Sequence, residues 1–311
     1  MRALFDRPDL LRLHLGNRLG RWFPDREKRS MGAGPLPFVP LLYHAVGETG
    51  GEGQVSTLAE ILEHVGYLRR SDPEGVRRLV TFDDGYATSI PAIRRLCRMG
   101  QPVIWFVTTW CRDGEYLPKD WLRIVAERLE PGRTLSIGSF SIRLHNRFPA
   151  FRRWLAFRIN RALMLSLSRR EYLQAYERFH GRYRSLIEAE THDHLALASP
   201  AGIRALCAEF PALMIGCHGR AHYRWDRITD PCEFHEEAVG SRQELEEISG
   251  RVVDTVAYPY GYRPRNACMD VIRREYRSGF LAKALMGDDL YLQPRVAMDG
   301  VMPHGGEKVG Q

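Results

Sequence analysis

Short apolar runs alternate with helical patterns along most of this 311-residue chain. Strands are predicted where glycine, proline or charge bounds an apolar run, and helices where apolar residues recur every three or four positions. Such alternation favours a parallel sheet with crossover helices, here closed as an α/β barrel. The predicted strands are Phe38–Tyr43, Leu79–Phe82, Val103–Val107, Leu213–Cys217, Val252–Tyr258, Gly279–Ala282 and Tyr291–Met298, and the main helices are Ser56–Arg70, Ser89–Met99 and Pro231–Ile248.

Residues suited to catalysis follow four of these predicted strands. His44 follows the first strand, the pair Asp83-Asp84 follows the second, His218 follows the fourth, and a Pro-Tyr turn follows the fifth. In a parallel barrel the carboxyl ends of all strands meet on one rim, where active sites lie. The sequence therefore predicts a single site on that rim.

The aspartate pair and two histidines supply the ligands of a metal centre. Successive side chains at a strand end point in different directions, so one carboxylate can bind a metal ion while the other faces its bound water. His218 and His222 are four residues apart, so both imidazoles can converge on one ion. Two histidines and a carboxylate leave coordination positions open, as metal-assisted hydrolysis requires.

Three motifs in this order resemble those of the polysaccharide deacetylase family, carbohydrate esterase family four: Thr81–Gly85, His218–His222 and Tyr258–Gly261. Leu41–His44 matches the family's last motif at the front of the chain, as in the circularly permuted branch that includes poly-N-acetylglucosamine deacetylases. The resemblance covers roughly residues 37–107 and 212–298 and implies a distorted (β/α) barrel of the polysaccharide deacetylase type.

The same resemblance implies the composition of the metal centre. Asp84, His218 and His222 would bind a divalent metal ion, with zinc favoured and iron, cobalt or nickel as alternatives. Asp83 would act as the catalytic base that deprotonates the metal-bound water.

The remaining catalytic and binding residues follow from the same motifs. His44 is the candidate acid that protonates the leaving amine, and Tyr260 would offer its backbone N–H to the oxyanion. The candidate substrate-binding residues are Tyr43, Pro259 and Arg295.

Two positions depart from the family pattern. Gly219 stands where many members have serine or threonine, and Ala257 stands where some branches have an arginine that orients the base. Arg295 and Arg263 are candidates to orient Asp83 instead.

The unmatched segments define the rest of the predicted organisation. Residues 37–110 and 211–300 are assigned to the barrel, and residues 111–210 to a mainly helical insertion or cap. Its arginines either recognise a phosphate or acidic sugar or belong to a purely structural cap. Residues 1–36 read as a basic amphipathic arm and residues 301–311 as a flexible tail.

The net charge and the targeting signals restrict which binding partners and which cellular location are expected. The net charge of +7 and the pI near 9.2 suit an anionic partner, but no nucleic-acid-binding motif accompanies the arginines, so no nucleic acid is predicted. The N-terminal arm either lies on an anionic membrane or packs on the barrel. The absence of a recognised secretory signal and of a C-x-x-C pair favours a cytoplasmic protein, peripheral to the membrane if the arm binds it. The oligomeric state is not set by the sequence.

The leading interpretation is a metal-dependent hydrolase that removes an N-acetyl or other short acyl group from an amino-sugar glycan or glycoconjugate. Cytoplasmic precursors are the expected substrates. An O-acetyl esterase would use the same site, and a cyclic-amide hydrolase would keep the barrel. A catalytically inactive sugar-binding scaffold would be expected to lose the base or the acid. Asp83 and His44 are both present, which favours an enzyme.

Overall fold

A computed structural model of the chain describes residues 41–46, 55–71, 79–110, 115–189, 192–282 and 295–297. The predicted arm at 1–36, the predicted tail at 301–311 and parts of the first and last predicted strands lie outside these residues. The described residues all belong to one compact unit, Val39–Gln311.

Within the described residues, the predicted alternation of strands and helices is present. The strands are β1 (Leu41–Tyr43), β2 (Ala45–Val46), β3 (Val55–Ser56), β4 (Val80–Phe82), β5 (Val103–Val107), β6 (Thr134–Ile137), β7 (Phe140–Arg143), β8 (Met214–Cys217), β9 (Thr255–Ala257), β10 (Ser278–Phe280) and β11 (Val296–Ala297). The α-helices are α1 (Leu58–Ser71), α2 (Ile90–Arg98), α3 (Pro118–Arg128), α4 (Pro149–Ser166), α5 (Arg169–Ile187), α6 (Pro200–Glu209), α7 (Pro231–His235), α8 (Ser241–Ser249) and α9 (Asn266–Glu275).

One parallel sheet of seven strands organises the fold, in the order β10-β9-β8-β5-β4-β1-β11. Leu41 lies opposite Val80 on one side and opposite Val296 on the other, so the first and last described strands are neighbours. The distorted (β/α) barrel with a mainly helical insertion is confirmed. Two small sheets accompany it, the parallel pair β2-β3 and the antiparallel pair β6-β7.

Both faces of the main sheet are buried, as a sheet covered by crossover helices requires. Ile104, Phe106, Ala257 and Phe280 form a separate apolar cluster on the inner face, while the main core lies between the sheet and the helices. Gly216 permits this inner packing, because a Cβ there would lie 2.3 Å from Phe106 Cδ1. The inner cluster fills the interior of the barrel below the rim.

Hydrogen bonds to backbone carbonyls hold the helices of the insertion to one another. The buried guanidinium of Arg152 on α4 donates to the carbonyls of Ala126, Glu127 and Leu129 at the end of α3. A capping box between Ser168 and Glu171 lies at the beginning of α5. In the described part of the chain, no helix combines the length and apolar character needed to cross a membrane.

Candidate active site

The predicted site residues meet at the carboxyl ends of β1, β4, β8 and β9. His44 directly follows β1, Asp83 and Asp84 follow β4, and His218 follows β8. The backbone N–H of Asp83 donates to the Tyr43 carbonyl at 2.9 Å, which fixes the ends of two neighbouring strands together. All four rim residues named for catalysis or metal binding are buried.

Asp84, His218 and His222 form a compact group of metal-ligating atoms. One ligand atom from each residue lies within 4.8 Å of the others. Asp84 Oδ1 is 3.3 Å from His218 Nε2 and 2.9 Å from His222 Nε2. His218 Nδ1 donates to the Ala257 carbonyl at 2.8 Å, so its Nε2 carries the lone pair.

The protonation states of this group suit a cation. Burial, followed by the charge of Lys119, lowers the pKa of His222 to about 3, so its imidazole is neutral. Burial raises the pKa of Asp84, but the charge of Lys119 outweighs it and holds that pKa well below its usual value. Among the described residues, Asp84 Oδ1 accepts no hydrogen bond of acceptable geometry although it is buried. A buried anionic oxygen facing two imidazoles fits a divalent metal ion.

Lys119 is a site residue that sequence reasoning missed. Its Nζ lies 2.6 Å from Asp84 Oδ2, so one carboxylate oxygen faces the lysine and the other faces the histidines. Burial lowers the pKa of Lys119, but Asp84 and Asp120 outweigh it and raise that pKa, so the ammonium stays charged. Lys119 lies on α3 of the insertion, and a lysine after a helix-starting proline gives no sequence signal of this contact.

Asp83 pairs with Arg295 rather than with the metal-ligand group. Arg295 Nη1 lies 2.6 Å from Asp83 Oδ1, and Nη2 lies 2.8 Å from Asp83 Oδ2. Burial raises the pKa of Asp83, but the charge of Arg295 outweighs it, so the net pKa is lowered. The carboxylate is therefore held ionised in a fixed orientation.

Arg295 lies inside the barrel, which does not fit the predicted substrate contact. Its side chain is buried, and its Nη1 also contacts Thr81 Oγ1 at 3.2 Å. Its Nε donates to the carbonyl of Leu281, the residue after β10, so one guanidinium links the two edge strands of the sheet. Its Cζ lies 5.1 Å from the centre of the Phe106 ring. Arg295 thus occupies the position of a residue that orients Asp83.

Tyr260 lies in a short 3₁₀ turn, Pro259–Gly261, which begins two residues after the end of β9. Its ring centre is 4.5 Å from that of His222, and its hydroxyl accepts a hydrogen bond from Asn160 Nδ2 at 3.0 Å. Asn160 belongs to α4 of the insertion and also accepts hydrogen bonds from two buried tyrosines, Tyr172 and Tyr176. The insertion therefore supports the site as well as covering the barrel, and sequence reasoning missed Asn160.

Backbone strain is concentrated at the same place. Among the described residues, three that are not glycine have a positive φ: Asp84 (70°), His222 (53°) and Tyr260 (60°). This left-handed region is unfavourable for residues with a Cβ, and such strain clusters at functional sites because the surrounding structure must hold it. The strain lies in the group of Asp84, His218 and His222 and in the turn that contains Tyr260.

Glu237 holds the loop that carries both histidines. Its buried Oε2 accepts a hydrogen bond from the backbone N–H of Arg220 at 2.9 Å. Its Oε1 accepts one from Arg169 Nε of the insertion at 2.7 Å. Gly219 has a φ of +76°, and a Cβ there would lie 2.9 Å from Glu237 Oε2 and 3.1 Å from Trp225 Nε1. The close approach of Glu237 accounts for glycine at this departure from the family pattern.

Replacing Gly219 by alanine is expected to weaken metal binding and lower the melting temperature. Gly250 provides the matched control, because its φ is +66° but a Cβ there would meet nothing within 4 Å. Each substitution costs about 1–2 kcal/mol for the left-handed backbone, and only Gly219→Ala also displaces Glu237. Thermal denaturation and metal titration of the two variants measure the difference, and equal effects would contradict the proposed packing.

Tyr43 does not occupy the predicted substrate position. Its side chain is buried in the layer between the sheet and α1, where its hydroxyl lies 2.9 Å from His64 Nδ1 and its ring packs on Phe82. Successive strand residues face opposite sides of a sheet, so Tyr43 and the following His44 point to different sides. Pro259 is buried at the start of its turn.

No protein-family model and no curated protein matches this chain. It is similar to the solved structure of a polysaccharide deacetylase from Bacillus cereus, at 16% identity and a TM-score of 0.48 over 85% of this chain and 65% of that chain. It is also similar to the Streptococcus pyogenes deacetylase PplD in complex with acetate, at 13% identity and a TM-score of 0.49 over 86% and 95% of the two chains. A de-N-acetylase from Aggregatibacter actinomycetemcomitans matches at 12% identity and a TM-score of 0.48, over 85% and 96%.

The chain therefore spans just under two thirds of the Bacillus cereus protein, and the function proposed below rests on the residues of its own site. The chain resembles the polysaccharide deacetylase family in its motifs, and it matches solved structures of polysaccharide deacetylases.

Proposed function

We propose that this protein is a metal-dependent hydrolase that removes an acetyl or other short acyl group from the nitrogen of an amino-sugar glycan or glycoconjugate. The observation that carries the proposal is the division of the two adjacent aspartates. Asp84 faces His218 and His222, while Asp83 is held by Arg295. One carboxylate is thus available for metal binding and the other for proton transfer at the same rim.

Asp84, His218 and His222 would hold the metal ion, with zinc favoured by a set of two imidazoles and one carboxylate. When bound, such an ion lowers the pKa of a water molecule and polarises the acyl oxygen. The chain prepares the ligands: His218 is fixed in one tautomer by Ala257, and His222 is neutral.

Asp83 is the proposed general base. A base must be ionised before it accepts a proton, and the ion pair with Arg295 keeps its pKa low. Because both carboxylate oxygens of Asp83 contact the guanidinium, the side chain is fixed in one orientation. Arg295 is therefore a positioning residue.

His44 and Tyr260 are the proposed acid and oxyanion donor. An amide nitrogen is a poor leaving group, so the reaction needs a proton for nitrogen as well as stabilisation of the oxyanion. His44 directly follows Tyr43, whose carbonyl accepts a hydrogen bond from the backbone N–H of Asp83, which supports its place at the same centre. Tyr260 is held by its ring contact with His222 and by Asn160, which orients the turn whose N–H would donate.

The proposal is tested by measuring metal content and acetate release from N-acetylglucosamine oligomers with the full-length protein. His222→Gln is expected to lose the metal and the activity, whereas His235→Gln is a matched control at an exposed histidine and keeps both. An inactive scaffold predicts no acetate release by metal-loaded wild type. An O-acetyl esterase predicts release from O-acetylated sugars alone, and a cyclic-amide hydrolase predicts ring opening without acetate.

A further inference from the structure

Exposed apolar side chains are concentrated on one segment of the insertion. Among the described residues, six large hydrophobic side chains are exposed, and four of them lie within residues 148–165. These four are Phe148, Trp154, Phe157 and Leu165, and Phe148 is 71% exposed. The other two, Met214 and Val252, lie at or before the beginnings of β8 and β9, the end of the sheet opposite the rim. A concentration of this kind marks an interaction surface.

Helix α4 presents most of these residues on one side. Trp154, Phe157, Arg158, Arg161 and Leu165 recur at helical spacing, which places them on one face. The guanidinium of Arg158 lies over the Trp154 ring, with Cζ 5.8 Å from the ring centre. The opposite side of α4 is buried in the insertion. We call the exposed side, together with Phe148, the α4 face.

The charge around the α4 face has one sign. Residues 131–170 contain nine arginines and neither aspartate nor glutamate. Such a segment attracts an anionic partner, while bare phenyl and leucyl side chains require an apolar medium. Arginine beside Trp, Phe and Leu suits the boundary between anionic headgroups and acyl chains, because each side-chain type then meets its own environment.

The α4 face is fastened to the rim of the site. On the inner side of the helix, Asn160 donates to the Tyr260 hydroxyl. At its end, Tyr223, which follows a metal-ligand histidine, donates to the Leu167 carbonyl at 2.8 Å, and Arg227 donates to the Leu165 carbonyl at 3.0 Å. A bilayer bound to the α4 face would therefore lie beside the active site.

We propose that the α4 face docks on an anionic lipid bilayer. The identity of the substrate then follows, and this step rests on the function proposed above: the amino sugar that reaches the site is carried by a lipid at that surface. The basic N-terminal arm is a different segment, so any membrane contact that it makes is separable by mutation from that of the α4 face.

The docking is tested by cosedimentation of the full-length protein with phosphatidylcholine vesicles, with and without phosphatidylglycerol. Binding is expected only with phosphatidylglycerol and is weakened by salt. Phe157→Ser and Arg158→Glu are each expected to lower the partition coefficient roughly tenfold. Val252→Ser is the matched control, since it also removes an exposed apolar side chain. Undiminished binding by Phe157→Ser and Arg158→Glu, or no vesicle binding by the wild type, overturns the proposal.

Fluorescence identifies the segment that enters the bilayer. Brominated lipids are expected to quench the wild-type protein and to quench Trp154→Phe markedly less, because Trp154 is the tryptophan on the α4 face. Unchanged quenching in Trp154→Phe would assign the contact to another segment, such as the arm that contains Trp22, and would overturn docking through α4.

The proposal that the substrate is carried by a lipid is tested by a separate measurement. Acetate release from an N-acetylglucosamine glycolipid in anionic vesicles is expected to fall roughly tenfold in Phe157→Ser, while release from a soluble oligomer stays unchanged. Equal rates for the two proteins on the glycolipid overturn the lipid-carried substrate. If the wild type deacetylates neither substrate but still binds vesicles, the proposed enzymatic function fails and the docking stands.

Discussion

Replacing Asp83 by asparagine is expected to lower kcat/KM for acetate release by about 10²–10⁴-fold, the usual contribution of a general base. Asparagine keeps the shape of the side chain but cannot accept the proton. The ligand atoms of Asp84, His218 and His222 are unchanged, so the metal content is expected to stay at the wild-type level.

Kinetics on N-acetylglucosamine oligomers and elemental analysis of the same preparation measure both quantities. Asp270→Asn is a suitable control, because that side chain is 82% exposed and lies on α9, away from the rim. Wild-type activity in Asp83→Asn would remove the residue from the proposed role, whereas loss of metal would instead place it among the ligands.

Replacing Arg295 by methionine is expected to lower the free energy of unfolding by about 3–5 kcal/mol, because it leaves the buried Asp83 carboxylate without its counter-ion. Burial then raises the pKa of Asp83 unopposed by the guanidinium. The base is protonated at higher pH, so the acid limb of the pH–activity profile moves upward. The ion pair stabilises the fold above the unfolded pKa of Asp83 and loses this effect as pH falls through the folded value, so the stability difference shrinks in acid.

Urea denaturation at several pH values and a pH–rate profile measure these effects. The double variant Asp83→Asn/Arg295→Met is expected to recover part of the lost stability, since no charge remains unpaired, but none of the activity. A variant Arg295→Met with the stability and pH profile of the wild type would contradict the assignment of Arg295 as the residue that positions the base.

The strands and their end residues could be predicted because both depend on local sequence. Val103–Val107 is a continuous apolar run, and the strand β5 has the same bounds. The rim position of Asp84 and His218 follows from strand direction alone, since parallel strands all end on one side. Patterns within a few residues were therefore enough to predict that Asp84 and His218 lie on one rim.

Contacts between distant segments could not be read in this way. Arg295 and Asp83 are 212 positions apart, and the sequence offered Arg263 equally as a partner. Lys119 and Asn160 come from the insertion. No matched motif lies there to indicate which of its residues face the barrel. Their contacts depend on how α3 and α4 pack, which is a tertiary property that helical spacing does not define.

The substrate role predicted for Tyr43 shows that sequence motifs do not reveal which face of the sheet a strand residue occupies. The motif places Tyr43 next to His44, but neighbours on a strand face opposite sides of the sheet. The Tyr43 ring packs with Phe82 of the adjacent strand, whereas Thr81 on that strand faces inward to Arg295. The register between β1 and β4 decides which residue faces the barrel interior, and sequence alone did not fix that register.

The ion pairs of the two adjacent aspartates also bear on how this protein would acquire a metal ion. Asp84 is matched by Lys119 and Asp83 by Arg295, so each buried aspartate has a cation supplied by the chain itself. Small zinc domains, by contrast, have too little core to fold before their ion arrives. Here the electrostatic cost of burying two neighbouring anions is already offset in the apoprotein. If the proposed metal ion binds here, we expect the polypeptide to fold first and to take up the ion afterwards.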